Sequence, residues 1–369
     1  MSPLLRGIEN YRLSILDAYA NTFVVPHHCD SDSLFVVVRG QGTITFVSDD
    51  GRQSFNVKYG DVIRVPAGTT VYMVNSESDD KFIIASFNEP VNAPGYFQEF
   101  LLSGGEEPEG YLDVFGIETL AAFLNTTKDQ IRKLFSGQSQ VGRIRSASEE
   151  QLSALSAEAS SSPRHSGSLS PIELLNQRPV YSNENGRFHE ACPAQFKQLH
   201  NIDVCISALQ LNKGSIFLPH FNSKQTMVFL ITEGSVEFEM VSLQLPRQRQ
   251  EEQSAEGEEE QRSGQYQRVT ARANPGDIFI TLADHPVSLI ASQNEDMKAI
   301  GFGINGKNNQ RIFLAGRNNI VRNMEREAQE LSFGVPARLV EQVFNNQEES
   351  HFVSASQKRQ QREKPVSFI

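Results

Sequence analysis

The sequence predicts a mainly β protein: two jelly-roll β-barrels in tandem, each followed by a helical extension. Three observations carry that reading. Runs of β-forming residues broken by glycine recur in the same order in both halves, Gly-Asp turns follow them at matching places, and each half closes on a helical phrase.

The first hairpin runs LFVVVRGQGTITFV from Leu34 to Val47, and its counterpart runs MVFLITEGSVEFEMV from Met227 to Val241. Next come YGDVIRVPAGTTVYMVNSE from Tyr59 and PGDIFITLADHPVSLIASQ from Pro275. Each is a Gly-Asp turn, a strand, a tight turn and a second strand. A third pair begins at Phe82 and Lys298. LAAFLNTTKDQIRKLF from Leu120 then answers ELSFGVPARLVEQVF from Glu330, both with apolar residues at helical spacing. Thr126 and Asp129 resemble a capping box in which Asp replaces the usual Glu or Gln.

Gly40 pairs with Gly234, 194 positions on, whereas Gly60 pairs with Gly276, 216 positions on. About twenty residues are therefore inserted in the second copy. The acidic, apolar-poor stretch at about 244–266 supplies them and reads as a mobile loop. Expected boundaries are a first barrel with helices at 1–145, a Ser-rich linker at 146–172, a second barrel with helices at 173–356, and a basic tail at 357–369.

With 369 residues the chain has room for two ordinary domains. The net charge of -11 argues against a nucleic-acid partner, and no run of eighteen apolar residues is present to span a membrane. The opening MSPLLRGIENYR lacks the regions of a signal peptide, so on a secretory reading the leader is absent from this sequence. Cys29, Cys192 and Cys205 are too few for a disulfide framework, and their odd number leaves at least one thiol free or intermolecular.

Gly60, Pro66, Gly68 and Asn75 fall in register with the cupin pattern Gly-x5-Pro-x-Gly-x2-His-x3-Asn, with Val71 where the metal-binding His belongs. The other cupin motif, His-x-His then Glu then Gly, meets His27, Cys29, Ser33 and Gly40. In the second copy Leu218 and His220 take the His places, no Glu follows, and Val287 replaces the last His, two residues after His285. Phrases such as LPHFNSK at Leu218 and GFGINGKNNQRIFLAG at Gly301 further resemble vicilin-type seed storage globulins. That resemblance covers nearly the whole chain. It implies a homotrimer of two-barrel subunits, laid down in seed protein storage vacuoles as a nutrient reserve.

The residues offer two further function classes. A metal-dependent cupin needs imidazoles and a carboxylate around one ion, and neither copy keeps the set. In the second copy His220 and His285, with Cys205 on the preceding strand, suit copper, and copper with an open position could dismutate superoxide. Alternatively, His220 is a hydrogen-bonded strand residue and His285 starts a turn; storage itself requires no cofactor. The second class is binding: a barrel interior near His27, Cys29, Arg39 and Arg64 could hold a small organic acid or phenolic ligand. Against this, the arginines suit surface ion pairs and Cys29 suits a core. Asn125-Thr126-Thr127 reads either as a glycosylation site or as support for a helix cap.

Overall fold

The computed structural model describes residues 8–103, 109–137, 139–161, 169–243 and 266–355. The acidic stretch up to residue 265 and the tail from 357 lie outside the described residues. Two compact units emerge: Met1–Gln177 with Pro193–Ile202, and Arg178–Cys192 with Asp203–Ile369.

In the first unit one sheet orders its strands Arg12–Ala18, Phe82–Pro90, Ser31–Arg39, Asp61–Val65, Ile172–Glu173. The facing sheet runs Ile144–Ser146, Thr22–Cys29, Thr70–Asn75, Gln41–Ser48, Gly51–Lys58, with Glu99–Leu101 also paired to Thr22–Cys29. Val24, Ile44, Phe46, Met73, Phe82 and Ile84 fill the space between them, because alternate residues of each strand point inward. Neighbouring strands in these two sheets pair antiparallel.

The second unit repeats the plan. One sheet runs Tyr181–Asn183, Gly186–Ala191, Val204–Leu211, Met297–Ile304, Thr226–Glu233, Ile278–Thr281. The other runs Tyr266–Ala273, Val236–Leu243, Val287–Ala291, Ser215–Asn222, Arg311–Phe313, with Phe352–Ser354 paired to Ser215–Asn222. Its core is built on Phe188, Phe217, Phe229, Phe238, Phe279 and Phe352.

The Gly-Asp turns of the two copies fold alike. Asp61 accepts a hydrogen bond from the Lys58 amide at 2.9 Å, and Asp277 one from the Asn274 amide at 2.8 Å. Each carboxylate thus ties its own turn, which is why Asp recurs there. Asn75 of the cupin pattern is fully buried, and its amide donates to the carbonyls of Ala18, Tyr19 and Asp80. Its role is to hold the barrel end together.

Helices follow each barrel, at Ile117–Phe123 and Lys128–Phe135 in the first copy and at Arg326–Phe333 and Ala337–Phe344 in the second. The cap expected at Thr126 sits one residue later. Thr127 accepts from the Gln130 amide, and Gln130 accepts in return from the Thr127 amide, both at 3.3 Å. Asp129 could not serve, since it faces solvent and pairs with Arg132 at 2.8 Å. Asn125 takes a left-handed backbone (φ 48°) between the two helices, so it is not the cap.

Much of the segment read as linker is ordered within the first unit. Ile144–Ser146 joins a sheet edge and Ile172–Glu173 pairs with Asp61–Val65. Between them Glu149–Ser161 is a helix, opened by Ser148 and Gln151, which cap each other, and anchored by buried Leu152. The Ser-rich composition concealed one apolar anchor at a helix start.

Candidate functional site

The two cupin-motif strands, Thr22–Cys29 and Ser215–Asn222, share one local device. Pro26 and Pro219 have no N–H to offer the ladder, and the pairing register shifts at the same place in each, between Val24 and His27 and between Phe217 and His220. The displaced chain brings each histidine back onto its own backbone. His27 Nδ1 lies 2.8 Å from the Val25 carbonyl, and His220 Nδ1 lies 2.8 Å from the Leu218 carbonyl. A carbonyl only accepts, so Nδ1 carries the proton in both. In the neutral ring Nε2 is then left with the free lone pair.

Both histidines are buried, and each faces a valine across the strands: His27 opposite Val71, His220 opposite Val287. The register therefore places an alkyl group where a second imidazole would be needed. The carboxylate position is lost too. Ser33 is buried in a neutral network with Ser31, Ser86 and Asn88, its hydroxyl 2.8 Å from Asn88 Oδ1. Met227, at the matching place of the second strand set, belongs to the apolar core. Two positions of the cupin ligand set are thus given over, in each copy, to apolar packing or neutral hydrogen bonding.

What surrounds each histidine differs. In the first copy Glu99, on the short strand Glu99–Leu101, stands opposite Cys29. Its Oε1 lies 3.4 Å from His27 Nε2, and its other oxygen bonds Arg143. His27, Cys29 and Glu99 form the one group of three metal-capable side chains found among the described residues, their ligand atoms all within 4.8 Å of one another. Burial lowers the His27 pKa, with Glu99 pulling the other way. Burial, assisted by Glu99, pushes the Cys29 thiol up to about 12.

In the second copy the place of Glu99 is taken by Arg311, which stands opposite Asn222. Arg311 is buried, bonds Glu190 at 2.9 Å, and lies over the Phe188 ring at 4.4 Å. Burial and the Arg311 charge push the His220 pKa down to about 3. His220 packs against Phe217 and Phe313, with ring centroids 4.4 and 5.3 Å away.

The expected copper ligands fare accordingly. Cys205 is bonded to Cys192 in a disulfide, so it offers no thiolate; this corrects its assignment as a ligand, and Cys29 is the free thiol. His285 turns its Nδ1 to the Ala283 carbonyl at 2.8 Å, and no group of three metal-capable side chains forms around it or His220 among the described residues. The buried guanidinium beside His220 opposes a further cation there. These residues do not fit copper. Arg39 is exposed and pairs with Asp80 at 2.9 Å, while Arg64 is more buried and pairs with Asp32 at 2.7 Å.

Sequence reasoning found His27 and Cys29 by their spacing on one strand. It missed Glu99, Arg143, Arg311 and Glu190, which strand pairing and folding bring in from far along the chain.

The cupin family model matches residues 9–100 and 172–354, both barrels. Vicilin GC72-A of Gossypium hirsutum is 49% identical over 372 residues, 96% of this chain and 61% of that protein. Vicilin Cor a 11.0101 of Corylus avellana is 41% identical, across 98% of this chain and 78% of that one. The chain belongs to the vicilin family of cupins. A crystal structure of the vicilin from Solanum melongena, described as holding different anionic ligands in structurally similar pockets, superposes with a TM-score of 0.87 at 35% identity, covering 96% of this chain and 90% of that one. The chain spans less than two thirds of the cotton vicilins it matches, 61% of one and 64% of another. For a vicilin-family chain, retained barrels with dismantled ligand sets are the central structural fact.

Proposed function

We propose that this chain is a seed storage globulin, a nutrient reserve assembled as a homotrimer and held in the protein storage vacuole. The observation that carries this reading is the pairing of two complete barrels with a missing ligand set: Val71 and Val287 face the two motif histidines, and Ser33 and Met227 stand where a carboxylate ligand belongs. Kinship with vicilins supports it. So do the helical extensions, which leave Leu331, Leu134 and Val343 between 61% and 87% exposed, apolar surface that a neighbouring subunit would cover. The test is abundance through seed life. Accumulation during maturation and steep loss on germination are expected; a constant level through germination would overturn the storage reading.

The Solanum melongena relative favours a second reading, binding of a small organic anion. In this chain Arg39, Arg64 and Arg311 are each engaged by a carboxylate, and Arg311 differs in being the most buried of the three and in lying beside His220. Acid-extracted native protein would release such an anion in stoichiometric amount. Copper-dependent superoxide dismutation finds less support, since the second copy lacks its thiolate and carries that same guanidinium.

A further inference from the structure

The Nε2 atom of His27 and the Oε1 atom of Glu99 lie 3.4 Å apart, and both present lone pairs when the ring is neutral. Two lone pairs at that distance repel, so something positive belongs between them. A proton is one solution and a metal cation is another. The sulfur of Cys29 completes a third corner, with all three ligand atoms within 4.8 Å.

We propose that His27 Nε2, Cys29 Sγ and Glu99 Oε1 bind a divalent ion of the zinc type in the first barrel. Three features support it. The set of imidazole, thiolate and carboxylate suits zinc or another borderline ion, with a fourth position left to water. Zinc takes sulfur at about 2.3 Å and nitrogen or oxygen at about 2.0–2.1 Å, so the tetrahedral ligands of a one-sulfur site stand about 3.3–3.6 Å apart. The widest separation allowed here closes to that by about 1 Å of side-chain movement. The supporting shell is in place as well: the Val25 carbonyl fixes the His27 tautomer, and Arg143 holds the far oxygen of Glu99. On binding, the Cys29 S–H proton leaves to solvent and the thiolate takes its place on the ion. The second barrel, with Arg311 in the position of Glu99 and Asn222 in that of Cys29, has neither the charge nor the sulfur to do the same.

The full chain, stripped with chelator and titrated with Zn2+ alone, is expected to take up one ion that depends on Cys29. Cys29→Ser and Glu99→Gln should each weaken that uptake at least tenfold, while His285→Ala leaves it unchanged. Co2+ in place of Zn2+ should show a thiolate charge-transfer band that Cys29→Ser abolishes. Circular dichroism identifies any variant that fails to fold, and two independent substitutions keep the test decisive. Absence of Zn2+ uptake by the unmodified chain, or undiminished uptake in folded Cys29→Ser, overturns the proposal. So does uptake lost in His285→Ala and kept in Cys29→Ser.

Discussion

Glu99 and Arg311 occupy the same register position in the two barrels and carry opposite charge: Glu99 stands opposite Cys29, and Arg311 stands opposite Asn222. Around two histidines held by the same backbone device, one copy gathers negative charge and the other a buried guanidinium. Duplication kept the frame and inverted the electrostatics. The consequences differ enough to be measured separately.

Arg311 and Glu190 form an ion pair whose side chains are 5% and 16% exposed. Removing one partner strands the other charge in low dielectric, which costs about 3–5 kcal/mol for a well-buried pair. Arg311→Met is therefore expected to lower the urea midpoint of the second unit strongly. Restoring neutrality with Glu190→Gln in the same chain should recover part of the loss. A double-mutant cycle in urea reads both numbers.

The His220 pKa, pushed down to about 3, sets a second expectation. The unfolded ring protonates near its ordinary value of about 6.5, so between roughly pH 6.5 and 3 the unfolded chain binds the extra proton. Stability from this group is present above that range and is lost as pH falls through it, by at most about 1.4 kcal/mol per pH unit. His27 and His351 shift in the same direction and add to the trend. His220→Asn should flatten the decline in unfolding free energy between pH 6 and 4 relative to the parent chain.

Gly40 and Gly234 test the duplicated hairpin. Both have positive φ, and an added Cβ would come within 2.1 Å of the Lys81 carbonyl oxygen or 2.0 Å of that of Asp296. Backbone on backbone has nowhere to yield, so Gly40→Ala and Gly234→Ala should each cost at least about 1–3 kcal/mol. Gly51, also at positive φ but with nothing within 4 Å, is the control and should lose less on thermal unfolding.

The fold was largely legible because its signals are local. Gly40 with Gly234, and Asp61 with Asp277, mark turns whose chemistry depends on residues nearby in sequence. The site was half legible for the same reason. His27 and Cys29 lie two residues apart on one strand, but Glu99 reaches them only through strand pairing that no local pattern encodes. The Cys192–Cys205 disulfide was hidden because a count of three cysteines does not say which two meet. The helical cap was misplaced by one residue: adjacent threonines both offer a hydroxyl, and only Thr127 has Gln130 three positions on to return the bond.

The helical extensions supply the last prediction. Ile131 and Val340 are buried, yet Leu134 is 65% exposed and Leu331 and Val343 are 87% and 61% exposed. Burying one such side chain is worth about 1.5–3 kcal/mol, so three left in water are costly unless another subunit covers them. Sedimentation of the full chain at micromolar concentration should therefore give a trimer. Leu134→Arg, and separately Leu331→Arg with Val343→Arg, place charge where a neighbour's apolar surface would have to desolvate it. Both variants are expected to shift the chain toward monomer without changing its circular dichroism, since these side chains lie on the exposed surface of their own subunit. A parent chain that sediments as a stable monomer would mean that these faces serve something other than self-assembly.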